Sequence, residues 1–360
     1  MLSLDANATE PLRPEAREAA LAALDTPGNP SSVHAEGRAA RRLLEQARAR
    51  LAARFGARPA DIVFTAGGTE ANALAIHALG RGRRVLVGAT EHPSVLQAAP
   101  EAQRLPVRAD GRADLAALEA ALADGPALLC LMAANNETGV LHPIAEAAAL
   151  CRRHGALLHV DAVQAAGRVM LPEGADSLAI SGHKLGGPKG AGALLLRPGL
   201  DCPALIPGGG QERGRRGGTE PLPAIAGFAA AAAAADPDDA ARLAALRDAI
   251  EAGARAIAPE LVIPGAAAPR LPNTTSLLLP GIAAETQVIA LDLAGVRVSA
   301  GAACSSGKVA ASHVLAAMGH GALAGCAIRV SLPWNAPAEA PARFLAAWGA
   351  MRARLRPQAA

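Results

Sequence analysis

Between about Arg13 and Pro198 the chain alternates short apolar runs with longer segments of helical periodicity, and this alternation restricts the fold more than any other feature. The apolar runs are Ile62–Thr65, Arg84–Gly88, Ala127–Ala133, Ala156–Val160, Ser177–Ser181 and Ala191–Leu196. Helical patterns lie between them near His34–Phe55, Thr69–Leu79, Leu115–Ala123 and Pro143–His154, several ended by Gly. Strands that alternate with helices of this length form a sheet with crossover helices, so the fold class is α/β. At 360 residues the chain is long for one core, which predicts a large domain over residues 13–250 and a smaller one over 1–12 and 251–360. The Ala-rich segment from Pro223 to Ile257 reads as a long helical arm joining the two.

Composition narrows the functional classes. Aromatic residues make up 2% of the chain and Tyr is absent, so the core is built from Ala, Leu and Val and no phenol takes part in the chemistry. Lys plus Arg exceed Asp plus Glu by 35 − 32 = 3 without a long basic run, which gives no case for a nucleic-acid partner. The longest apolar stretch, Leu222 to Ala235, is too short for a membrane span, and the beginning MLSLDANATEP lacks the pattern of a secretory signal. A cytoplasmic protein is expected. Five cysteines with no C-x-x-C pair argue against a disulfide framework and against a zinc ribbon, so a functional cysteine is expected to act alone.

Several residues stand where an α/β sheet places chemistry. Lys184, in SGHKLGGPKG, follows the strand ending at Ser181. A lone loop lysine is ordinarily a solvated side chain, but upstream the strand in HVDAVQ delivers Asp161 to its carboxyl end, with Gln164 three residues on. A carboxylate and a lysine at neighbouring strand ends meet the needs of a pyridoxal phosphate enzyme, one holding the ring nitrogen protonated and the other forming the Schiff base. A metal-bound aspartate is the competing reading; no second carboxylate stands beside Asp161, and no metal is expected. In TAGGTEAN, Gly67, Gly68 and Thr69 open a helix just after a strand, which suits a phosphate or simply an ordinary capped turn. His92 in ATEHPSV is placed to stack on a cofactor ring or to cap a helix. Cys304 in SAGAACSSGK sits among small residues, as an accessible nucleophile or an incidental loop thiol. Arg329 in AIRVSL suits a carboxylate clamp or an edge-strand ion pair. The Gly-rich stretch from Pro207 to Pro221 is too long for a turn and is expected to be a functional loop.

Taken together, LDANAT, GNPSSVH, VFTAGGTEAN, EHPSV, NNETGV, HVDAVQ, SGHKLGGPKG, GGGQERGRRGGTEP, LPNTTS, AGAACSSG and IRVSL closely resemble the cysteine desulfurase family, pyridoxal 5'-phosphate enzymes of the class V aminotransferase type. The resemblance covers essentially the whole chain in order. It implies the fold type I architecture, with a mainly parallel seven-stranded sheet and a smaller α+β domain carrying the cysteine loop. It implies Lys184 as the Schiff-base lysine, Asp161 on the ring nitrogen, Gln164 on the ring hydroxyl and His92 on the ring face. Gly68, Thr69, Ser181 and His183 would hold the phosphate, with Thr219 reaching across from a second subunit of a homodimer. Asn136 and Arg329 would hold the carboxylate of L-cysteine, with Asn7 a further candidate beside them. Cys304 would receive the sulfur as a persulfide and pass it to an acceptor protein such as an iron–sulfur scaffold or a thiolation enzyme. The small-residue context of Cys304 is similar to the branch with a long cysteine loop. Two positions depart from the family pattern: Glu10 stands where a second Thr is usual, and Gln211 where a His is often found. Selenocysteine lysis, transamination or a non-catalytic sulfur carrier are the competing readings.

Overall fold

The computed structural model describes residues 1–171, 173–236, 239–301 and 311–355. After a short strand β1 (Leu2–Ser3), the chain forms helix α1 (Pro14–Leu24), with Pro at its first position, and α2 (Ala35–Phe55), capped by His34 and closed by Gly56 in the left-handed region. The alternation then follows in full. In order come β2 (Ile62–Thr65), α3 (Gly68–Leu79), β3 (Arg84–Gly88), the one-turn α4 (Pro93–Leu96), β4 (Gln103–Leu105), α5 (Leu115–Leu122) and β5 (Ala127–Cys130). Next are α6 (Ile144–Arg153), β6 (Leu157–Asp161), β7 (Ser177–Ser181) and β8 (Gly192–Leu196). These strands make one seven-stranded sheet in the order β2-β8-β7-β6-β5-β3-β4, with only β8 antiparallel to its neighbours. Successive residues of a strand face opposite sides. Ile62, Phe64, Leu86, Leu129 and Val160 therefore pack under α2, α5 and α6, while Val63, Val87, Leu128 and Cys130 pack under α3 and α4.

Helix α7 (Leu222–Ala234) closes the first layer, and Phe228 in it presses on the chain that leaves β7. A Cβ at Gly182 would lie 3.0 Å from Phe228, and one at Gly187 would lie 3.1 Å from the Phe228 Cα, so only glycine lets that turn lie flat against the helix. Helix α8 (Asp239–Ile257) is a separate element, contrary to the single arm expected over Pro223–Ile257. The break begins at Ala235, whose φ of −71° and ψ of 109° are extended rather than helical. Leu243, Ile250 and Ala254 of α8 join a second core with Leu2, Leu4, Phe344 and Trp348.

The second core lies over a three-stranded antiparallel sheet. Its strands are β9 (Thr274–Leu278), then, after α9 (Ala284–Leu293) and β10 (Val296–Arg297), β11 (Ser299–Ala300) and, after the single turn α10 (His313–Leu315), β12 (Ala327–Ser331). The strand order is β11-β12-β9, β1 pairs with β10, and α11 (Ala340–Leu355) covers the sheet through Phe344 and Trp348, whose rings stack at 6.4 Å. Asp5 bridges to Ser331, so the first residues of the chain are fastened to this second unit just before they reach the large sheet. Among the described residues no helix is long and apolar enough to cross a membrane.

Candidate active site

The carboxyl ends of β2, β3, β5, β6 and β7 lie along one edge of the large sheet, and β12 of the three-stranded sheet faces them. Between them is a cavity of about 700 Å³ lined by Lys184, Asp161, Gln164, His92, Thr69 and Arg329 among others. Ligands in open α/β sheets bind at this edge because the strands end there and the loops diverge. Lys184 closes the single turn Gly182–Lys184 after β7. Its Nζ donates to the carbonyls of Asn7 and Ala8, the latter at 2.9 Å. Burial, reinforced by the charges of Arg329 and Arg168 and opposed by Asp5 and Asp161, lowers the ammonium to about 8. A lysine in that state supplies a free amine near neutral pH.

Asp161 ends β6 and is held by a directed chain of hydrogen bonds. Val163 N–H donates to its Oδ1 at 2.9 Å, and Asn72 Nδ2 donates to its Oδ2 at 2.7 Å. The same Asn72 amide donates to Ser94 Oγ at 2.9 Å, and its Oδ1 faces His159 Nε2 at 3.0 Å. An amide oxygen only accepts, so His159 carries its hydrogen on Nε2 and accepts the Ser177 hydroxyl at Nδ1, 2.8 Å away. Ser94 in turn pairs with His92 Nδ1 at 2.8 Å, and Ser94 N–H donates to the same nitrogen at 3.1 Å. His92 Nδ1 is therefore an acceptor and Nε2 bears the hydrogen. Burial, with the Lys184 and His313 charges, lowers His92 against the opposing pull of Asp161, and its ring is neutral at pH 7.

The other expected residues fall into two groups. Gly68 and Thr69 line the cavity at the first turn of α3, where the helix's own backbone N–H groups are free for an anion, and Ser181 and His183 line it from the end of β7 and the turn after it. This cradle is tight: a Cβ on Gly68 would come within 2.6 Å of Val163 Cγ2. Burial and the adjacent Lys184 and Lys189 lower His183 to about 4. Arg329 donates to Asp5 Oδ1 at 2.7 Å and to the Asn136 carbonyl at 3.2 Å, while its buried Nε has no protein partner. Arg329 lines the cavity, where a guanidinium suits an anionic ligand. Asn136 lines the cavity beside it. Asn7 lines the cavity as well. Its side-chain amide is taken up by Thr274 at 2.9 Å and the Asn136 carbonyl at 3.1 Å, and its backbone carbonyl receives Lys184 and Gln164. Thr219 is exposed and meets Asn29 at 3.5 Å, outside the cavity of its own chain. Cys304 lies outside the described residues.

The Gly-rich stretch is pinned by buried charge. Glu212 accepts from Arg48 at 2.7 and 2.8 Å and from Phe64 N–H at 2.8 Å, and Arg216 pairs with Glu70 at 2.8 Å. Glu212 and Arg213 adopt φ of 48° and 59°, sterically unfavourable for side chains with a Cβ and sustained here by those anchors. Sequence reading missed Asn72, Glu91 and His313. Asn72 was visible as the one amide within the apolar ANALAI helix. Glu91, fully buried with Oε1 on Met132 N–H at 2.6 Å, is raised well above the usual carboxylate range by burial and by Asp161. His313 lines the cavity and reaches the Glu91 carbonyl at 3.0 Å across the domain junction.

The sequence profile of class-V aminotransferases matches residues 2–340 of this chain. The chain belongs to that family. A cysteine desulfurase of Cereibacter sphaeroides is 44% identical to the enzyme over 360 residues, 93% of this chain and 92% of the relative. An IscS-like cysteine desulfurase of Mycobacterium tuberculosis is 40% identical over 344 residues, 89% of this chain and 88% of the relative. The X-ray structure of a NifS-like protein from Rickettsia africae superimposes with a TM-score of 0.91 at 33% identity, covering 98% of this chain and 99% of that one. Within the family, the enzyme is thus a cysteine desulfurase, and its mixed α/β architecture is that of the family.

Proposed function

We propose that the enzyme takes the sulfur of L-cysteine onto Cys304 as a persulfide and releases L-alanine, using pyridoxal 5'-phosphate in the cavity between the sheet and β12. The observation that carries this reading is the meeting in one cavity of Lys184 with its lowered ammonium, Asp161 on its fixed hydrogen bonds and the Arg329 guanidinium. The donor set fits the cofactor. Gly68, Thr69, Ser181 and His183 offer an anion cradle, Asp161 offers a carboxylate for a pyridinium N–H, and Gln164 offers an amide for the ring oxygen. When bound, pyridoxal phosphate supplies an aldehyde for the substrate amine and a protonated ring that accepts electron density from Cα.

The chain's own residues do the rest. Arg329, with Asn136, binds and orients the substrate carboxylate. Lys184 removes the proton at Cα, a task suited to an amine that titrates near 8. Asp161 holds the ring-nitrogen proton, and Asn72 keeps the carboxylate from turning away. The Cys304 thiolate accepts the substrate sulfur: a sulfur–sulfur bond forms, the carbon–sulfur bond breaks, and thiol plus cysteine become persulfide plus alanine. A homodimer is supported by Thr219, exposed beside Asn29, and by Val33, 88% exposed on the neighbouring turn. A sulfur acceptor of the scaffold or thiolation type and a cytoplasmic location complete the reading.

Visible absorbance, sulfide and alanine should be followed for wild type, Lys184→Ala and Cys304→Ala with L-cysteine and a reducing thiol. Wild type should be yellow and make both products, Lys184→Ala should lose both colour and turnover, and Cys304→Ala should keep its colour but lose sulfide. Full activity in Cys304→Ala would replace the persulfide step with selenocysteine-lyase or transaminase chemistry. A colourless wild type after addition of pyridoxal phosphate would end the cofactor reading.

A further inference from the structure

We propose that Glu10 and Arg168 are a positioning pair for Gln164: they fix which end of its amide faces the cavity, and Glu10 offsets the charge of Arg168 behind Lys184. The inference rests on the cofactor reading above and deepens it. Glu10 does not line the cavity. It lies behind it, its Oε1 accepting from Arg168 Nη2 at 3.1 Å and its Oε2 from Trp334 N–H at 3.2 Å. The two side chains are 5% and 6% exposed, so water screens the pair little. Arg168 also donates through Nη1 to Gln164 Oε1.

A guanidinium has donors only, so the Gln164 atom that faces it is the amide oxygen, and the usual ambiguity of a glutamine side chain disappears. Gln164 Nε2 then gives one hydrogen to the Asn7 carbonyl at 3.0 Å. Its second hydrogen remains for the cavity that Gln164 lines. The orientation makes Gln164 a donor toward the ring oxygen of the cofactor.

The charge balance follows from the same contacts. Arg168 cannot lose its proton in a protein, and with Arg329 it acts on Lys184 in the sense that disfavours a positive charge. Asp5 and Asp161 act on Lys184 in the opposite sense. Glu137, His92, His183 and His313 line the same cavity, His92 and His183 lowered toward the neutral form, and Arg13 is a second cation acting on Glu10. Glu10 is the carboxylate in direct contact with Arg168. Without its charge, the Arg168 cation acts uncompensated on Lys184 and on the group Lys184 holds.

The test is the pH titration of the holoenzyme's visible band. In Glu10→Gln the midpoint should fall by roughly one unit, and in the double variant Glu10→Gln/Arg168→Gln, which lacks both charges but keeps an N–H donor for Gln164, it should return to within roughly 0.3 unit of wild type. If Glu10→Gln does not accumulate as holoenzyme, Glu10→Thr removes the same charge and should shift the midpoint the same way. A variant that loses thermal stability while its band titrates as in wild type overturns the proposal, because a purely structural pair moves stability alone. A double variant displaced as far as the single one overturns it too. A wild type without the band defeats the cofactor reading and the pair's role with it, an outcome distinguishable from a band that titrates unchanged.

Discussion

His159 offers the sharpest test of the hydrogen-bond chain that holds Asp161. It is wholly enclosed between Ser177 Oγ at 2.8 Å and Asn72 Oδ1 at 3.0 Å. Burial lowers it to about 3, against an unfolded value near 6.5. The native state thus binds fewer protons than the unfolded chain over this window. The stabilising effect of keeping His159 neutral is complete above pH 6.5 and is lost as the pH falls toward 3. At pH 5 the unfolded state is favoured by about 1.5 pH units of proton uptake, or about 2 kcal/mol. In His159→Gln an amide replaces the ring, donating toward Asn72 without titrating. Urea unfolding of both proteins at pH 7.5 and pH 5.0 should show the variant losing about 2 kcal/mol less than wild type on acidification. His142, buried between Thr90 and Ala113 and lowered to about 4, is present in both proteins and cancels in the comparison. Equal losses in the two proteins would refute a neutral His159, and with it the Ser177 hydroxyl as the donor to its Nδ1.

Three further outcomes follow from the site. Because Lys184 titrates near 8, capture of pyridoxal phosphate by the cofactor-free chain should quicken about tenfold per unit as the pH rises toward 8 and level off above it, which stopped-flow absorbance measures. Gly68→Ala puts a methyl within 2.6 Å of Val163 Cγ2, so cofactor affinity should drop by about tenfold or more; adding Val163→Ala should restore much of it, as equilibrium titration would show. Glu212→Ala strands a buried Arg48 guanidinium and the Phe64 N–H, and should cost about 3–5 kcal/mol in denaturant unfolding, whereas Glu212→Leu with Arg48→Met should cost much less.

The large sheet was legible because its central strands are continuous apolar runs, but its margins were not. β4 (Gln103–Leu105) escaped because two of its three residues are exposed and polar, as edge strands are. The run Ala127–Ala133 stops being a regular strand at Cys130 for a reason no local pattern carries. Met132 N–H is taken by the Glu91 carboxylate, while Leu131 and Ala133 still bond to β6 carbonyls. The same boundary runs through the site. Lys184, Asp161 and Thr69 announce themselves, since each is a polar residue at the end of an apolar strand or the start of a helix. What orients them comes from parts of the chain that no periodicity relates: Asn7 under Lys184, Asn72 and His159 behind Asp161, and Glu10 and Arg168 behind Gln164. These partners are amides, imidazoles and a buried ion pair, groups that are costly to enclose unless every donor finds its acceptor. A buried polar residue on an otherwise apolar face is therefore the sequence signal to search for. Asn72 within ANALAI, which carries both Asp161 and the Ser94–His92 pair, shows how much of an active site one such residue can organise.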